Sequence, residues 1–516
     1  MTRGAGPALA STLGLLLLWQ ALAMATAGAW ILASPLAVLD WAAERAGLLT
    51  RATAVTLGAA AQGFLWGNLA AMLLALVSVL VPRSERVLSA LSLLAFCLPL
   101  VATGPILRVL YGPGTGPQVT LAALACCYTT HVALLVGLRA APPGWLDLIR
   151  SYGRGRVTAL LQVRAMAALP YLAAGLQIAA PAAILGAMVG EFTGAERGLG
   201  VLILRTLRGL DVAGTWAIGG IAAAAAIAAH AAVGALARRV TRAPPPVILA
   251  VAPPRPGRGP LARLAGAAGL ILLVLALWWA AMEAAGLPAF FAKRPGDVWA
   301  YLATGPAAGL HRAQLLGALG QTLAIALPGY LAGLALGVGI AAALVLAPRV
   351  AGVAMPLAIA LRSIPILATA PLIVLALGRG AAGGIAIVAA MIFFPTLVAC
   401  LQGMRQTPAA VTDIFDSYGA PRLTRLIHAQ APAMLPAFFA SARMAVPAAI
   451  LAATTAEWLA TGRGLGALMA TVASTSDYGM LWSATALIAS VAMLAWAGLA
   501  RIERAVLARA APEQLS

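Results

Sequence analysis

Twelve stretches of this sequence run for about 20 residues or more with almost no charge. They are 8–32, 53–81, 87–110, 118–140, 167–190 and 213–237, then 262–287, 315–347, 350–377, 383–404, 434–456 and 480–500. About 20 apolar residues wound as a helix cross the hydrocarbon core of a bilayer. In that solvent only helices and closed barrels satisfy every backbone N–H and C=O, and unbroken runs without period-two alternation specify helices. The composition agrees: 62% of the 516 residues are hydrophobic, 9% are charged, and mean hydropathy is +0.96. A soluble domain carries roughly 25% charged residues. The chain therefore reads as an all-α polytopic membrane protein, which excludes a disordered, collagen-like or disulfide-stapled one. The 315–347 run is longer than an upright span needs, so it tilts. The first run contains Ala23-Met24-Ala25, a small-residue pattern like a leader cleavage site. Its length exceeds the roughly 7–15 apolar residues of a leader, so it reads as a helix. Cys97, Cys126, Cys127 and Cys400 all lie in apolar runs without metal-ligand spacing and read as small packed hydrophobes.

A net charge of +19 invites a nucleic-acid reading, which would require a basic stripe on a water-facing fold. The spans give another account. With the N-terminus inside, inner segments hold 21 basic and six acidic residues, and outer segments 11 and nine. That is +15 inside and +2 outside, with Arg362 and Arg443 left within spans. The bias places both termini in the cytoplasm and makes the bilayer, not nucleic acid, the partner of this charge.

The chain also repeats itself. At a constant offset of 266, Thr56 returns as Thr322, Gly63 and Gly67 as Gly329 and Gly333, and Pro99 as Pro365. Ser151-Tyr152-Gly153 returns as Ser417-Tyr418-Gly419, Leu169-Pro170 as Leu435-Pro436, and Glu191 as Glu457. Arg197-Gly198-Leu199-Gly200 returns as Arg463 to Gly466, and Asp211 and Trp216 return as Asp477 and Trp482. Pro35 and Pro295 correspond at offset 260, so about six residues were gained after that point. Shared Ala/Leu composition does not align glycines, prolines and acids in order. The expected organisation is a first six-span unit over 1–237, a Pro/Arg-rich cytoplasmic linker over 238–263, and a second unit over 264–516. An even number of spans gives both units the same orientation, so they are parallel repeats with a pathway between them.

Between the fourth and fifth spans of each unit lies the most distinctive segment, Asp147 to Gly153 with Leu169-Pro170, and Asp413 to Gly419 with Pro432 and Leu435-Pro436. It reads as a short helix, a glycine break, an amphipathic stretch, and a proline re-entry into the membrane at a helix first turn. Such a knob suits docking into a groove on a partner. The acid, the glycine and the later Leu-Pro resemble the EAA loop of ABC importer permeases. Glu191 with Gly198-Leu199-Gly200, and Leu32-Ala-Ser-Pro35 with Arg362-Ser-Ile-Pro365, resemble the nitrate/sulfonate/taurine branch of that family. There are departures: the family's Glu-Ala-Ala is Asp147-Leu-Ile and Asp413-Ile-Phe, Met166 stands where Pro432 keeps the proline, and Ala429 stands opposite Val163. The resemblance implies the type I ABC importer permease fold, in two tandem parallel six-helix repeats. It implies as partners a cytoplasmic ABC ATPase dimer and an extracytoplasmic solute-binding protein. It places Asp147, Ser151, Tyr152, Gly153, Asp413, Ser417, Tyr418 and Gly419 in ATPase-coupling loops. The chain has no G-x-x-x-x-G-K-[ST] motif, and its one lysine is Lys293. ATP and Mg are therefore expected on the partner subunits, with no cofactor on this chain, which is a transport component and not an enzyme.

Ionisable groups inside a membrane are costly and mark candidate function. Arg362 and Arg443, whose repeat mates are Phe96 and Gln177, are candidates for a substrate pathway that places positive charge beside an anion. Arginines satisfied by carbonyls or by snorkelling are the competing account. Glu191 and Glu457, at the outer ends of the fifth spans, are candidates for a gate or outer-face contact, with a helix-end structural role as the alternative. A carrier driven by an ion gradient would need paired midplane carboxylates, and the acids here lie near span ends. No Ser/His/Asp, His-Glu-x-x-His or paired-Asp constellation supports an intramembrane enzyme. The branch resembled carries nitrate, sulfonates and taurine, and also vitamin precursors such as pyrimidines and riboflavin.

Overall fold

The computed structural model describes residues 32–112, 114–241, 260–284, 286–347 and 380–510, with isolated positions between 14 and 25 and between 370 and 378. The first half of the chain contains α1 (Pro35–Glu44), α2 (Ala46–Leu80), α3 (Glu85–Cys97), α4 (Leu100–Tyr111) and α5 (Gly116–Arg139). It continues with α6 (Pro143–Ser151), α7 (Arg156–Phe192), α8 (Leu199–Arg208) and α9 (Val212–Val240). The second half contains α10 (Pro260–Ala284), α11 (Pro295–Trp299), α12 (Ala308–Leu346) and α13 (Ala381–Arg405). It ends with α14 (Ala409–Ser417), α15 (Arg422–Leu459), α16 (Leu465–Ser474) and α17 (Tyr478–Ala510). No strand occurs among the described residues. Of the expected linker, 242–259 lies outside them, α9 runs on through Val240, and α10 begins at Pro260.

Among the described residues nine helices are long and apolar enough to cross a membrane, and they coincide with nine of the twelve apolar runs. The runs 8–32 and 350–377 fall largely outside the described residues. The 87–110 run departs from expectation, because it is two helices, α3 and α4, parted by extended backbone at Leu98 (ψ 127°) and Pro99 (ψ 110°). Proline lacks an N–H and pushes the residue before it out of the helical region. A bare break in hydrocarbon is costly, so protein must cover it. Phe96 stacks on Tyr128 of α5 with ring centroids 4.7 Å apart. Cys97 and Ile106 join a cluster with Val446 and Ile450 of α15, Leu465 and Met469 of α16, and Leu481 of α17. The broken span thus lies where the two halves of the chain meet.

A second departure concerns Leu169-Pro170 and Leu435-Pro436. They do not open a new helix. Each stands inside one continuous rod, which passes from its first turn through a π turn at Leu160–Arg164 or Leu426–Gln430. The hydrogen bond that proline cannot make is tolerated beside such a local adjustment.

Within each half the dominant packing is α2 on α5, α5 on α7 and α7 on α9, repeated as α12 on α13, α13 on α15 and α15 on α17. Lipid provides no hydrophobic drive between helices, so close backbone approach has to supply the attraction. Gly63 and Gly67 allow it: a Cβ on Gly63 would sit 2.3 Å from Cβ of Ala122, and one on Gly67 would sit 2.5 Å from the carbonyl oxygen of Ala123. Gly329 and Gly333 meet Val388 and Ile392 in the same way. Gly67→Leu is expected to lower stability by about 1–3 kcal/mol through overpacking. Gly58→Leu, at a glycine with nothing within 4 Å, is expected to leave the melting temperature of the purified chain unchanged.

Candidate functional site

Both expected loops are helical hairpins closed by the same hydrogen bonds. Pro143 starts α6 at a position where a missing N–H costs nothing. At its end Gly153 takes φ +69°, its N–H donates to Arg150 O at 2.9 Å, and the Arg154 N–H donates to Ile149 O at 3.1 Å. Just past α14 Gly419 takes φ +62°, its N–H donates to Asp416 O at 3.1 Å, and the Ala420 N–H donates to Phe415 O at 2.9 Å. This pair of bonds satisfies the last carbonyls of a helix and needs a residue at positive φ, the reason for glycine. Ser151 and Ser417 each donate back to the carbonyl three residues earlier, at 2.8 Å. The hinges are closed by hydrogen bonds on both sides of the glycine.

What they expose is apolar. Trp145, Leu148, Tyr152, Val157 and Leu161 are exposed around the first hinge, and Val411, Ile414, Tyr418, Leu423 and Ile427 around the second. Each of the five pairs is related by the 266-residue offset, and Tyr418 is 86% exposed. Asp147 and Asp413 are exposed on these helices, with Asp147 paired to Arg150 at 3.0 Å. The hinges differ in charge: Arg150 corresponds to Asp416, which reaches across the turn to Arg425 at 2.8 Å. Leu169, Pro170, Pro432, Leu435 and Pro436 are half-buried on the rods that follow.

At the other end of those rods Glu191 and Glu457 are buried, 1% and 0% exposed. Glu191 accepts from the Thr56 hydroxyl at 2.7 Å and from the Gly200 N–H at 2.6 Å, and the Thr56 hydroxyl oxygen accepts from the Leu199 N–H at 2.9 Å. Glu457 accepts from the Gly466 N–H at 2.7 Å, and Thr322 accepts from the Leu465 N–H at 2.9 Å. Carboxylate and threonine therefore cap the first turns of α8 and α16, where N–H groups lack partners and negative charge is favoured. The glycines follow from this contact. A Cβ on Gly198 (φ +134°) would lie 2.2 Å from Cδ of Glu191, and one on Gly464 (φ +95°) would lie 2.1 Å from Oε1 of Glu457. These two acids staple helices together inside the protein, and in this structure they are not exposed on its outer face.

The expected pathway residues separate. Arg362 lies outside the described residues. Arg443 is paired with Glu503 of α17 at 3.1 Å, with its guanidinium 5.3 Å from the Trp496 ring centroid. Gln177 corresponds to Arg443; its backbone carbonyl oxygen lies 2.9 Å from Nδ1 of His230, which corresponds to Trp496, and a Cβ on Gly234 of α9 would lie 2.6 Å from its Nε2. Both residues thus face the last helix of their own half. Arg443, the candidate for positive charge beside an anion, thus has an ion-pair partner, Glu503, which is 1% exposed. Phe96 lies on the junction between the halves, stacked on Tyr128.

Two stretches of the chain, residues 67–242 and 333–509, match the family described as binding-protein-dependent transport system inner membrane component. The chain belongs to that family. It is 35% identical over 193 residues to a probable ABC transporter permease protein of Haemophilus influenzae, covering 37% of this chain and 78% of that one. It is 31% identical over 192 residues to the riboflavin transport system permease protein RibX of Chloroflexus aurantiacus, covering 37% and 72%. It is 27% identical over 238 residues to the taurine transport system permease protein TauC of Escherichia coli, covering 46% and 86%. No solved structure matches. Less than half of this permease accounts for most of each relative, and the family pattern occurs twice, so two permease units are fused in one multi-pass inner-membrane chain.

Sequence reasoning missed several partners in this permease. Trp41 Nε1 donates to Asp211 at 2.7 Å, and the Tyr301 hydroxyl donates to Asp477 at 2.9 Å. The acids correspond at offset 266 and the aromatics at offset 260, so the pairs were readable from the repeat on both sides of the insertion. Burial and the Asp477 carboxylate push the Tyr301 hydroxyl pKa above its usual value. Glu503 falls beyond the 480–500 apolar run, but α17 continues ten residues past that run and carries Glu503 into contact with Arg443.

Removing one partner of a buried ion pair strands the other. Arg443→Gln is expected to cost about 3–5 kcal/mol of stability, and adding Glu503→Gln is expected to recover most of it, as read by thermal unfolding of the purified permease. Gly198→Ala is expected to cost about 1–3 kcal/mol from the left-handed backbone and the displaced carboxylate. An unchanged melting temperature for Gly198→Ala would remove the staple from the account.

Proposed function

We propose that this permease forms the translocation pathway of an ATP-driven importer, with both termini in the cytoplasm. Two ATPase subunits, which carry the ATP and Mg, dock on the hinges at α6 and α14. An external binding protein presents the solute on the opposite face. The observation that carries this reading is the pair of exposed apolar hinge surfaces, matched at five positions by one constant offset. A surface of exposed Trp, Tyr, Leu and Ile side chains on a short rigid helix fits a groove on a soluble partner. Asp147, Ser151, Tyr152, Gly153, Asp413, Ser417, Tyr418 and Gly419 are the transmitting residues in this reading. Alternating access then follows from rocking one half against the other.

For the solute we infer a planar vitamin precursor in preference to a small inorganic or sulfonate anion. Two features support this choice: Arg443 is neutralised by Glu503, and the junction between the halves carries the stacked Phe96 and Tyr128 beside the broken span. An aromatic surface favours stacking with a heterocycle.

Reconstitution with the cognate ATPase and binding protein tests both statements. Gly419→Val forces a branched residue into positive φ and is expected to reduce solute uptake at least tenfold while ATP hydrolysis persists. Coupled uptake at the wild-type rate in that variant would reject the hinge assignment. Uptake of taurine or nitrate with no uptake of riboflavin or a pyrimidine would reject the solute assignment alone.

A further inference from the structure

A cavity of about 510 Å³ opens between the end of α2 and the first hinge. Its walls carry five arginines, Arg139, Arg150, Arg154, Arg156 and Arg164, against one carboxylate, Glu85. Glu85 pairs with Arg139, and Arg150 pairs with Asp147 at 3.0 Å. Among the described residues no carboxylate pairs with Arg154, Arg156 or Arg164. Gathering this many guanidinium groups around one hollow is opposed by their mutual repulsion unless an anion enters. The guanidinium fork matches the oxygens of a phosphate, and the volume falls in the usual range for small-ligand sites.

The duplication supplies a control within the chain. The positions related by 266 are Arg405, Asp416, Ala420, Arg422 and Gln430, two arginines and one acid in place of five arginines. A positive-inside bias acts on both halves alike and does not account for this difference. Nor does the proposed ATPase docking, because Trp145, Leu148, Tyr152, Val157 and Leu161 do not line the cavity.

We propose that this cavity is a binding site for a phosphate group, present in the first half of the chain and lost or never acquired in the second. Its place at the ends of α2 and α5 puts it level with the membrane surface, so the phosphate belongs to an anionic lipid headgroup or to a soluble phosphate compound. A bound phosphate would tie α6 and the start of α7 to the ends of α2 and α5, bracing one hinge and not the other.

The test uses the full purified chain without ATPases, so its outcome is independent of the transport reading. Retention of dioleoylphosphatidylglycerol against dioleoylphosphatidylcholine is measured by native mass spectrometry, and sodium pyrophosphate binding by titration calorimetry in neutral detergent. In R154Q/R156Q, which alters two exposed residues, the preferred probe is expected to bind at least tenfold more weakly, while R405Q/R422Q keeps wild-type binding. Preference for the anionic lipid with no pyrophosphate binding assigns the headgroup, and saturable pyrophosphate binding assigns a soluble ligand. R154K/R156K keeps the charge but loses the fork, is expected to bind severalfold more weakly, and serves should the glutamine variant fail to fold. The proposal is overturned if neither probe binds the wild-type chain selectively. It is equally overturned if every variant binds as wild type does, or if R405Q/R422Q loses as much as R154Q/R156Q.

Discussion

Hydrocarbon offers no partner to a backbone N–H or C=O, and the rest of this structure is organised by that fact. Three kinds of departure from plain helix among the described residues are met by protein. The break at Leu98-Pro99 is packed against α5 and against helices of the other half. The turns into α8 and α16 are capped by the carboxylates of Glu191 and Glu457 and the hydroxyls of Thr56 and Thr322. The prolines at 170 and 436 follow π turns, where the hydrogen-bond ladder is already shifted. A buried acid in a membrane protein invites a functional reading, but its first duty here is to the N–H groups of a neighbouring helix.

Duplication lets the chain be compared with itself. The backbone devices are nearly identical in the two halves: hinge hydrogen bonds, π turns, staples, and aromatic-to-aspartate pairs. The charges are not. Arg443 with Glu503 stands opposite Gln177 with Ala237, and Asp416 opposite Arg150. Geometry was retained while electrostatics drifted, which fits a pseudo-symmetric scaffold whose two halves meet their surroundings differently.

Much of this was legible in the sequence because the informative residues are those a membrane restricts most. Long apolar runs located nine described spans, and glycine, proline and acid positions aligned the halves without a gap from Thr56 to Trp216. The hinge was legible because only glycine readily takes the positive φ at 153 and 419. Hydropathy does not register the interruption of 87–110, since a single uncharged proline at 99 leaves the run apolar. It was blind too to the partner of Arg443, since pairing across helices leaves no periodic trace. The roles of Thr56 and Thr322 depend on contacts 135 and 143 residues away, which one sequence does not announce.

The two staples and the two hinges are the ends of the same objects. Rod α7 runs unbroken from Arg156, just after the first hinge, to Phe192, just after the first staple, a length of roughly 55 Å at 1.5 Å per residue. Rod α15 does the same from Arg422 to Leu459. A partner that displaces the hinge therefore moves a stiff element whose far end grips the first turn of α8 or α16 through a buried carboxylate. The grip is tight, because the glycines at 198 and 464 leave no room for a Cβ between the helices. Helix α16 in turn packs on α4, beyond the break in the other half's third span. Each hinge is thus joined through one long helix to the capped turn at its other end, and α16 joins the second of these to the junction between the halves by direct packing.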